Sequence, residues 1–343
     1  MHAEPSRFQE SNLWSTPIRD LGLRIEGTRL EPILAEFERE LRNVGITRLK
    51  PRWYLSTEWG VPFETIAIAI PFYLARPDLT ALHAEKVGHI EGFNRADILR
   101  YLRHEMGHVV NYAYRLYDDE EWVKHFGSIT QPYSEEYSPE PFSRRYVRHL
   151  PGWYAQKHPD EDWSETFAVW MTPGLDWRAE YGGWPIAHAK LSYVNRTMHA
   201  LHNREPEVTA TDLDEDVGEI EYSLGQYYGR EVGGAGDLPP GLDGALRAIF
   251  DDLSGSEGQA PVQSLKPAAD LIRRFEPELM ANVFRWTGHF PERTRVLLRY
   301  LAERATRLEQ GYPAHREDAA IIALTTLVTG LAMNHVQRGS YLP

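Results

Sequence analysis

The sequence contains no cysteine. Disulfide bonds and thiolate metal sites are therefore excluded, and any metal bound by the protein must be held by histidine, aspartate or glutamate. Basic residues are also fewer than acidic ones: the chain has 37 Lys and Arg residues and 50 Asp and Glu residues, which gives a net charge of −13. Since such a chain is repelled by polyanions, we expect neither nucleic acid nor an anionic membrane surface as a partner.

Long apolar runs are scarce as well. The longest, AAIIALTTLVTGLAM at residues 319–333, falls short of the roughly 20 residues that span a bilayer, so it predicts a buried helix. The N-terminal stretch MHAEPSRFQESNLW lacks the basic start and apolar segment of a signal peptide, and we expect no secretion by that route. With 42% apolar and 12% aromatic residues, the chain has the composition of a globular protein that buries a core.

The chain is long enough for two domains, because 343 residues exceed the usual size of a single core. Residues 1–228 mix helical and strand patterns, and we predict one domain there. Residues 229–240 are rich in Gly and Pro and predict a linker. Residues 241–343 carry four helical patterns separated by short breaks, which predicts an all-α bundle whose role the sequence leaves unknown.

Strand patterns are few and confined to the first domain. Ile66, Ile68 and Ile70 alternate with small residues at the period of a β-strand. An extended peptide can pair with the exposed edge of a strand, so we expect this strand to form the edge of a binding cleft. The predicted fold class is α+β and mostly helical, with a small mixed sheet in the first domain.

The stretch RYLRHEMGHVVNYAY, residues 100–114, places two histidines and a glutamate inside a helical pattern. His104 and His108 are four residues apart and therefore project from the same face of the helix. Two imidazoles at this spacing suit Zn²⁺, and Glu105 between them suits a general base that acts on water. The alternative is that both histidines are structural, since so short a motif also occurs by chance.

A catalytic zinc site needs a third protein ligand. The third His of the metzincin pattern would fall at position 114, where this chain has Tyr114, so that class is excluded. The stretch HPDEDWSETFAVWM offers Glu161 and Glu165, four residues apart on one helical face, with an aromatic stripe on the other side. Either glutamate could be the ligand, and a solvated acidic face is the alternative.

The pair HEMGH and EDWSETF resembles the gluzincin branch of zinc metallopeptidases. The segment HLPGWYAQKHPDEDWSETFAVW is similar to the signature of bacterial zinc-binding metallopeptidases and to lethal-factor-like toxin proteases. The resemblance covers residues 90–200 and implies a zincin-like domain, one Zn²⁺ per chain and a cytoplasmic bacterial location. Some of these proteins carry a zinc ribbon, which a chain without cysteine cannot form, so functions of that ribbon are not expected here.

The resemblance also implies a role for each residue of the two motifs. His104, His108 and Glu161 would bind the metal, with Glu105 as the catalytic base, while Glu165 would hydrogen-bond a ligand imidazole. In the lethal-factor-like proteases a tyrosine seven residues before the ligand glutamate donates to the transition state, and Tyr154 occupies that position here. Plain packing is the alternative for this tyrosine.

These observations predict a zinc-dependent metallopeptidase that hydrolyses a peptide or protein substrate. One alternative is a catalytically inactive binding or scaffold protein with the same fold, in which the C-terminal helical domain recruits a protein partner. Another is a zinc hydrolase of a non-peptide amide, because that chemistry uses the same residues.

Overall fold

The computed structural model describes residues 13–87, 90–133, 137, 139–231, 242–253, 265–338 and 341. Helix accounts for 59% of the structure and strand for 7%, which confirms a mostly helical α+β chain. The chain divides into two compact units, Met1–Lys86 with Ile90–Glu231 and Val87–His89 with Val232–Pro343. The division after residue 231 falls within the stretch 229–240 that the sequence predicts as a linker, most of which lies outside the described residues.

The first unit consists mainly of helices beside a two-stranded sheet. Its helices are α1 (Leu30–Asn43), α2 (Pro77–Lys86), α3 (Arg95–Ala113), α4 (Glu120–Phe126), α5 (Pro159–Met171), α6 (Trp177–Glu180), α7 (Pro185–Leu201) and α8 (Leu224–Glu231). Its strands are β1 (Arg52–Ser56) and β2 (Ala67–Pro71). The sequence pattern predicts α1, α3, α5 and α7, and it predicts short helical pieces in the stretch 118–158 that contains α4. It does not predict α2, α6 and α8, because α6 is a single turn and α8 lies in an acidic stretch beside the predicted linker.

Strand β2 is not the cleft edge that the sequence predicts. It pairs in parallel with β1, so that Trp53 lies opposite Ile68. On its other side the Ala69 N–H donates to the Gly60 carbonyl at 2.8 Å, in an antiparallel bridge. All five residues of β2 are buried. An alternation of isoleucine with alanine is apolar on both faces, which is the pattern of a covered strand rather than of an edge.

Helix α3 carries the HEMGH motif. The sequence predicts that it begins at Asn94, because Asn94 and Asp97 have the spacing of an N-cap residue and a carboxylate that bonds back to the cap's own N–H. The Asn94 side chain accepts a hydrogen bond from the Asp97 N–H at 3.0 Å. The Asp97 carboxylate in turn accepts from the backbone N–H groups of Gly92 and Phe93, so the reciprocal bond of the cap reaches one and two residues further upstream than predicted. The helix ends before Arg115, which has a left-handed φ of 48°.

Helices α3 and α5 cross closely, and this crossing brings the two motifs together. A Cβ atom added to Gly107 would lie 2.6 Å from the Cα of Ser164. Next to this contact the Trp163 Nε1–H donates to the Gly107 carbonyl at 2.8 Å. The sequence suggests Ala168 and Thr172 as the small residues at the crossing, but the absence of a side chain at Gly107 is what permits the approach. Trp163 is fully buried, as the predicted aromatic stripe requires.

The second unit is a helical bundle with a small sheet. Its helices are α9 (Asp243–Ile249), α10 (Ala268–Arg274), α11 (Glu276–Thr287), α12 (Pro291–Arg307) and α13 (Glu317–Arg338). Its strands are β3 (Asp251–Asp252), β4 (Lys266–Pro267) and β5 (Gln310–Tyr312), paired antiparallel in the order β3-β5-β4. The prediction of an all-α domain is therefore wrong, because strands of two or three residues are too short to show a period of two.

Two helices of the second unit differ from their predictions. The pattern at residues 266–286 predicts one helix, but the structure breaks at Phe275, because Pro277 lacks an N–H and fits the first turn of a new helix. Helix α13 carries the apolar run at 319–333, predicted to be buried, yet only 28% of its most apolar window is buried. By length and composition the stretch Ala314–Arg338 could cross a membrane, a criterion that core helices of soluble proteins also meet.

Candidate metal centre

Three buried side chains of the first unit converge on one point. His104 and His108 project from α3 and Glu161 projects from α5. The Glu161 Oε2 atom lies 3.0 Å from His104 Nε2 and 3.3 Å from His108 Nε2, and the two Nε2 atoms are 3.2 Å apart. Within the part of the chain that the structure describes, these three residues are the group whose ligand atoms lie close enough together to hold a metal ion.

The atoms His104 Nε2, His108 Nε2 and Glu161 Oε2 form a triangle that has the dimensions of a metal site. A tetrahedral zinc ion with bonds of 2.0–2.1 Å separates its ligand atoms by about 3.3 Å. The Glu161 Oε2 atom makes no hydrogen bond within the described part of the chain, although it is buried. A buried carboxylate oxygen without a hydrogen-bond partner is costly, whereas a cation bound at the triangle would satisfy it.

Both imidazoles are oriented by carboxylates at their other nitrogen. His104 Nδ1 lies 3.0 Å from Glu165 Oε1, and His108 Nδ1 lies 3.0 Å from Asp160 Oδ2. A carboxylate accepts a hydrogen bond, so each Nδ1 carries a proton, and each Nε2, which faces the triangle, is the nitrogen left to bind a second proton or a metal ion. Two imidazole nitrogens and a carboxylate oxygen this close repel one another unless a positive charge, from a proton or from a metal ion, lies between them.

Glu165 contacts the Nδ1 atom of His104, on the side of the ring away from the triangle. Besides His104, its carboxylate accepts the backbone N–H of His149 at 3.0 Å and that of Leu150 at 2.9 Å. Glu161 is the glutamate that lies beside both Nε2 atoms. The two acids are therefore not interchangeable, because each is fixed by different neighbours.

Asp160 is a site residue that the sequence reasoning missed. It accepts hydrogen bonds from Asn111 Nδ2 at 2.7 Å and from the Tyr112 hydroxyl at 2.5 Å, in addition to its contact with His108. A signal was present, because a metal-ligating histidine almost always has an acceptor at its second nitrogen. Glu165 can serve only one imidazole, and Asp160 is the acid next to Glu161 in the sequence.

Four carboxylates make the site strongly negative. Burial by itself lowers the pKa of His104, but the close Glu161 and Glu165 carboxylates outweigh it and raise that pKa to about 9. The pKa of His108 is likewise raised well above its ordinary value, because Asp160 and Glu161 overcome the effect of burial. The pKa of Glu161 is lowered well below its ordinary value, since the two imidazoles outweigh burial. This potential favours a cation at the triangle.

Glu105 is buried and lines the same cleft as the triangle. Burial raises the pKa of its carboxyl group, the neighbouring Glu161 carboxylate adds to the shift, and the two histidines oppose it. A carboxylate with a raised pKa binds a proton more readily than an exposed one, as a general base must.

Tyr154 also lines the cleft, at the 3-10 turn Tyr154–Gln156 that precedes α5. Its ring packs edge-on against the His104 ring with 5.5 Å between centroids. Its hydroxyl lies 3.4 Å from that of Tyr133, which in turn donates to Glu161 Oε1 at 2.7 Å. Burial and the Glu161 charge raise the pKa of Tyr154 well above its ordinary value, so the hydroxyl keeps its proton.

The cleft has a volume of about 360 Å³ and combines an aromatic and apolar wall with the charged centre. Its lining residues are Trp59, Gly60, Val61, Phe63, His104, Glu105, His108, Tyr112, Ile129, Gln131, Tyr133, Tyr154, His158, Asp160 and Glu161. The segment 59–63, rather than strand β2, borders the cleft.

Comparison with family models, with curated proteins and with solved structures gives no match to this chain. The resemblance to gluzincins therefore remains a prediction from the two motifs.

Proposed function

We propose that this protein is a zinc-dependent peptidase of the gluzincin type. The observation that supports the proposal is the triangle of His104 Nε2, His108 Nε2 and Glu161 Oε2, with sides of 3.0, 3.2 and 3.3 Å, in a cleft that Glu105 also lines. A metal site that served structure alone would be closed by a fourth protein ligand, whereas three ligands beside a cleft leave one position for water or substrate.

Zinc is the metal that this set of donors favours. Two neutral imidazoles and one carboxylate are a known ligand set of hydrolytic zinc sites. Zinc bound there would act as a Lewis acid toward the scissile carbonyl and lower the pKa of a coordinated water to about 7. The residues of the chain then have to orient the ligands, move the proton and stabilise the developing charge.

Glu105 is the proposed general base. It follows the ligand His104 directly in sequence and reaches the same cleft, and its raised pKa makes it a better proton acceptor. In this role it takes the proton from the attacking water and passes it to the nitrogen of the leaving amine. The water oxygen forms a bond to the carbonyl carbon, and the bond between that carbon and the amide nitrogen then breaks.

Tyr154 is the proposed donor to the oxyanion. Tyr154 lines the cleft with its ring against that of His104, and its protonated hydroxyl would donate to the carbonyl oxygen as that atom acquires charge. Loss of one such donor lowers kcat by about 10²–10³-fold, which is the effect expected for Tyr154→Phe.

The deciding experiment measures metal content and peptide cleavage on the full chain. Wild type and Glu105→Gln should each bind about one zinc, as a three-ligand site requires, but only wild type should cleave a peptide library. Glu38→Gln, at an exposed position on α1, is the matched control and should retain activity.

Three results would count against the proposal in different ways. A wild-type protein that binds no zinc would reject the metal site. A zinc-loaded protein that cleaves no peptide in the library would favour a binding protein or a hydrolase of a non-peptide amide. Full activity in Glu105→Gln would reject the role of the base.

A further inference from the structure

Tyr133 lies outside both sequence motifs, in the segment between α4 and α5, yet its hydroxyl reaches Glu161. It donates a hydrogen bond to Glu161 Oε1 at 2.7 Å. Tyr133 is 49% exposed while Glu161 is 4% exposed, so a residue at the surface hydrogen-bonds a buried carboxylate.

This hydrogen bond divides the two oxygens of Glu161 between different tasks. Oε1 accepts from Tyr133, whereas Oε2 lies beside the Nε2 atoms of His104 and His108. The terminal torsion of a glutamate has broad wells, so nothing in the side chain itself fixes which oxygen faces the imidazoles. The Tyr133 bond supplies that constraint and also occupies Oε1, which could otherwise turn toward the same ion.

We propose that Tyr133 is a positioning residue that holds Glu161 so that Oε2 alone faces the metal. The inference rests on the proposed function, because it requires an ion at the triangle. It assigns to the segment between α4 and α5 a part of the site that neither HEMGH nor EDWSETF contains.

Several contacts hold Tyr133 in place against the start of α5. The His158 Nδ1 atom caps α5 by accepting from the Asp160 N–H, and the His158 Nε2–H donates to the Gln131 carbonyl at 3.0 Å. The Tyr133 ring lies 5.3 Å from the His158 ring, and the Lys157 ammonium lies 4.4 Å from the Tyr133 ring. His158 therefore connects the residues next to Tyr133 to α5, the helix that carries Glu161.

The Tyr133 hydroxyl also contacts the hydroxyl of Tyr154. Because Tyr133 uses its proton for Glu161, its oxygen can only accept from the Tyr154 hydroxyl, 3.4 Å away. The Tyr154 hydroxyl is thereby held at Tyr133, and it would leave this bond to donate to a substrate oxyanion. Tyr133 positions both residues without itself touching the reacting atoms.

The test compares binding of Zn²⁺ and Co²⁺ to full-length wild type, Tyr133→Phe and Tyr133→Leu by competition with a chelator. Both variants should weaken zinc binding by about 10–100-fold, the usual effect of removing a hydrogen bond to a metal ligand. The visible absorption of bound Co²⁺ should also change, since it reports the number and arrangement of ligand atoms. Tyr114→Phe is the matched control, because its hydroxyl bonds the Arg204 carbonyl, away from the cleft.

Each outcome has a distinct meaning. Wild-type affinity and spectrum in Tyr133→Phe would overturn the inference, and loss in Tyr133→Leu alone would assign the effect to ring packing instead of the hydroxyl. If wild type binds neither ion, the proposed function fails and the inference fails with it. An altered Co²⁺ spectrum in Tyr133→Phe but not in Tyr114→Phe would support the inference.

Discussion

Gly107 of α3 lies so close to Ser164 of α5 that a Cβ atom at position 107 would stand 2.6 Å from the Ser164 Cα. The contact falls between His104 and His108 on one helix and between Glu161 and Glu165 on the other. Because real Cβ atoms essentially never come so close to backbone, the spacing of the two site helices depends on glycine at this position.

The first prediction concerns that glycine. Gly107→Ala should destabilise the protein by about 1–3 kcal/mol, because the added methyl group must push α5 away. It should also weaken zinc binding, since Glu161 moves with α5. Equilibrium urea unfolding and chelator competition measure the two effects.

Gly229→Ala is the control for this substitution. Gly229 lies in α8, and an added Cβ there would meet nothing within 4 Å, so no loss of stability is expected. Equal stability and equal zinc affinity of Gly107→Ala and wild type would show that the helices tolerate a wider spacing.

The second prediction concerns Asp160, whose carboxylate accepts a hydrogen bond from the Nδ1–H of His108. Asp160→Asn should lower zinc affinity about 10–100-fold, because a neutral amide is a weaker acceptor for the Nδ1–H than a carboxylate. Isothermal titration of the apo-protein with Zn²⁺ measures the change. Asp212→Asn, at an exposed position, should leave the affinity as in wild type. An unchanged affinity in Asp160→Asn would mean that His108 is oriented by other contacts.

The third prediction concerns a buried ion pair beside the site. Lys190 Nζ on α7 lies 2.5 Å from Asp162 Oδ2 on α5, and both side chains are at most 5% exposed. Lys190→Met should destabilise the protein by about 3–5 kcal/mol, because it leaves a buried carboxylate without its partner. Thermal and urea unfolding followed by circular dichroism would show the loss.

An exposed ion pair provides the comparison. The side chains of Arg19 and Glu221 are 42% and 79% exposed, so Arg19→Met should cost less than about 1 kcal/mol. Combining Lys190→Met with Asp162→Asn should restore part of the stability, since the unpaired charge is then removed as well. Equal effects of the buried and the exposed substitution would contradict the assignment of Lys190 as a buried partner.

The fourth prediction concerns pH and the second unit. His289 is buried, with Thr294 Oγ1 2.7 Å from its Nδ1 and the Tyr341 hydroxyl 2.8 Å from its Nε2. Burial, with smaller contributions from His335 and Arg293, lowers the pKa of His289 from 6.5 to about 3. Between these two values the unfolded chain binds a proton that the folded unit does not.

Stability should therefore be retained above pH 6.5 and lost as the pH falls toward the lowered pKa, at up to about 1.4 kcal/mol per pH unit. His289→Gln keeps a donor and an acceptor but cannot titrate, so it should flatten this dependence. Urea unfolding at about pH 7 and about pH 4.5 compares the two proteins. An identical pH dependence in wild type and His289→Gln would exclude His289 as its source.

Much of the helical framework follows from local rules. Apolar spacing predicts α1, α3, α5 and α7, and the Asn94 cap predicts where α3 begins, because both signals lie within a few neighbouring residues. The helices α2, α6 and α8 of the first unit and the strands of the second unit are not predicted by such signals. The two covered edges of β2 also escape prediction, since Gly60 reaches Ala69 only in the folded chain.

By itself, the sequence determined that His104 and His108 share one face of a helix and that Glu161 and Glu165 share a face of another, because 3.6 residues per turn fix these relations locally. Only the tertiary structure decided that Glu161 meets the Nε2 atoms while Glu165 and Asp160 take the Nδ1 atoms, because that choice depends on how the helices cross at Gly107. The same holds for Tyr133, which reaches Glu161 from a segment without periodicity. Contacts between distant parts of a chain depend on packing, and no local pattern encodes them.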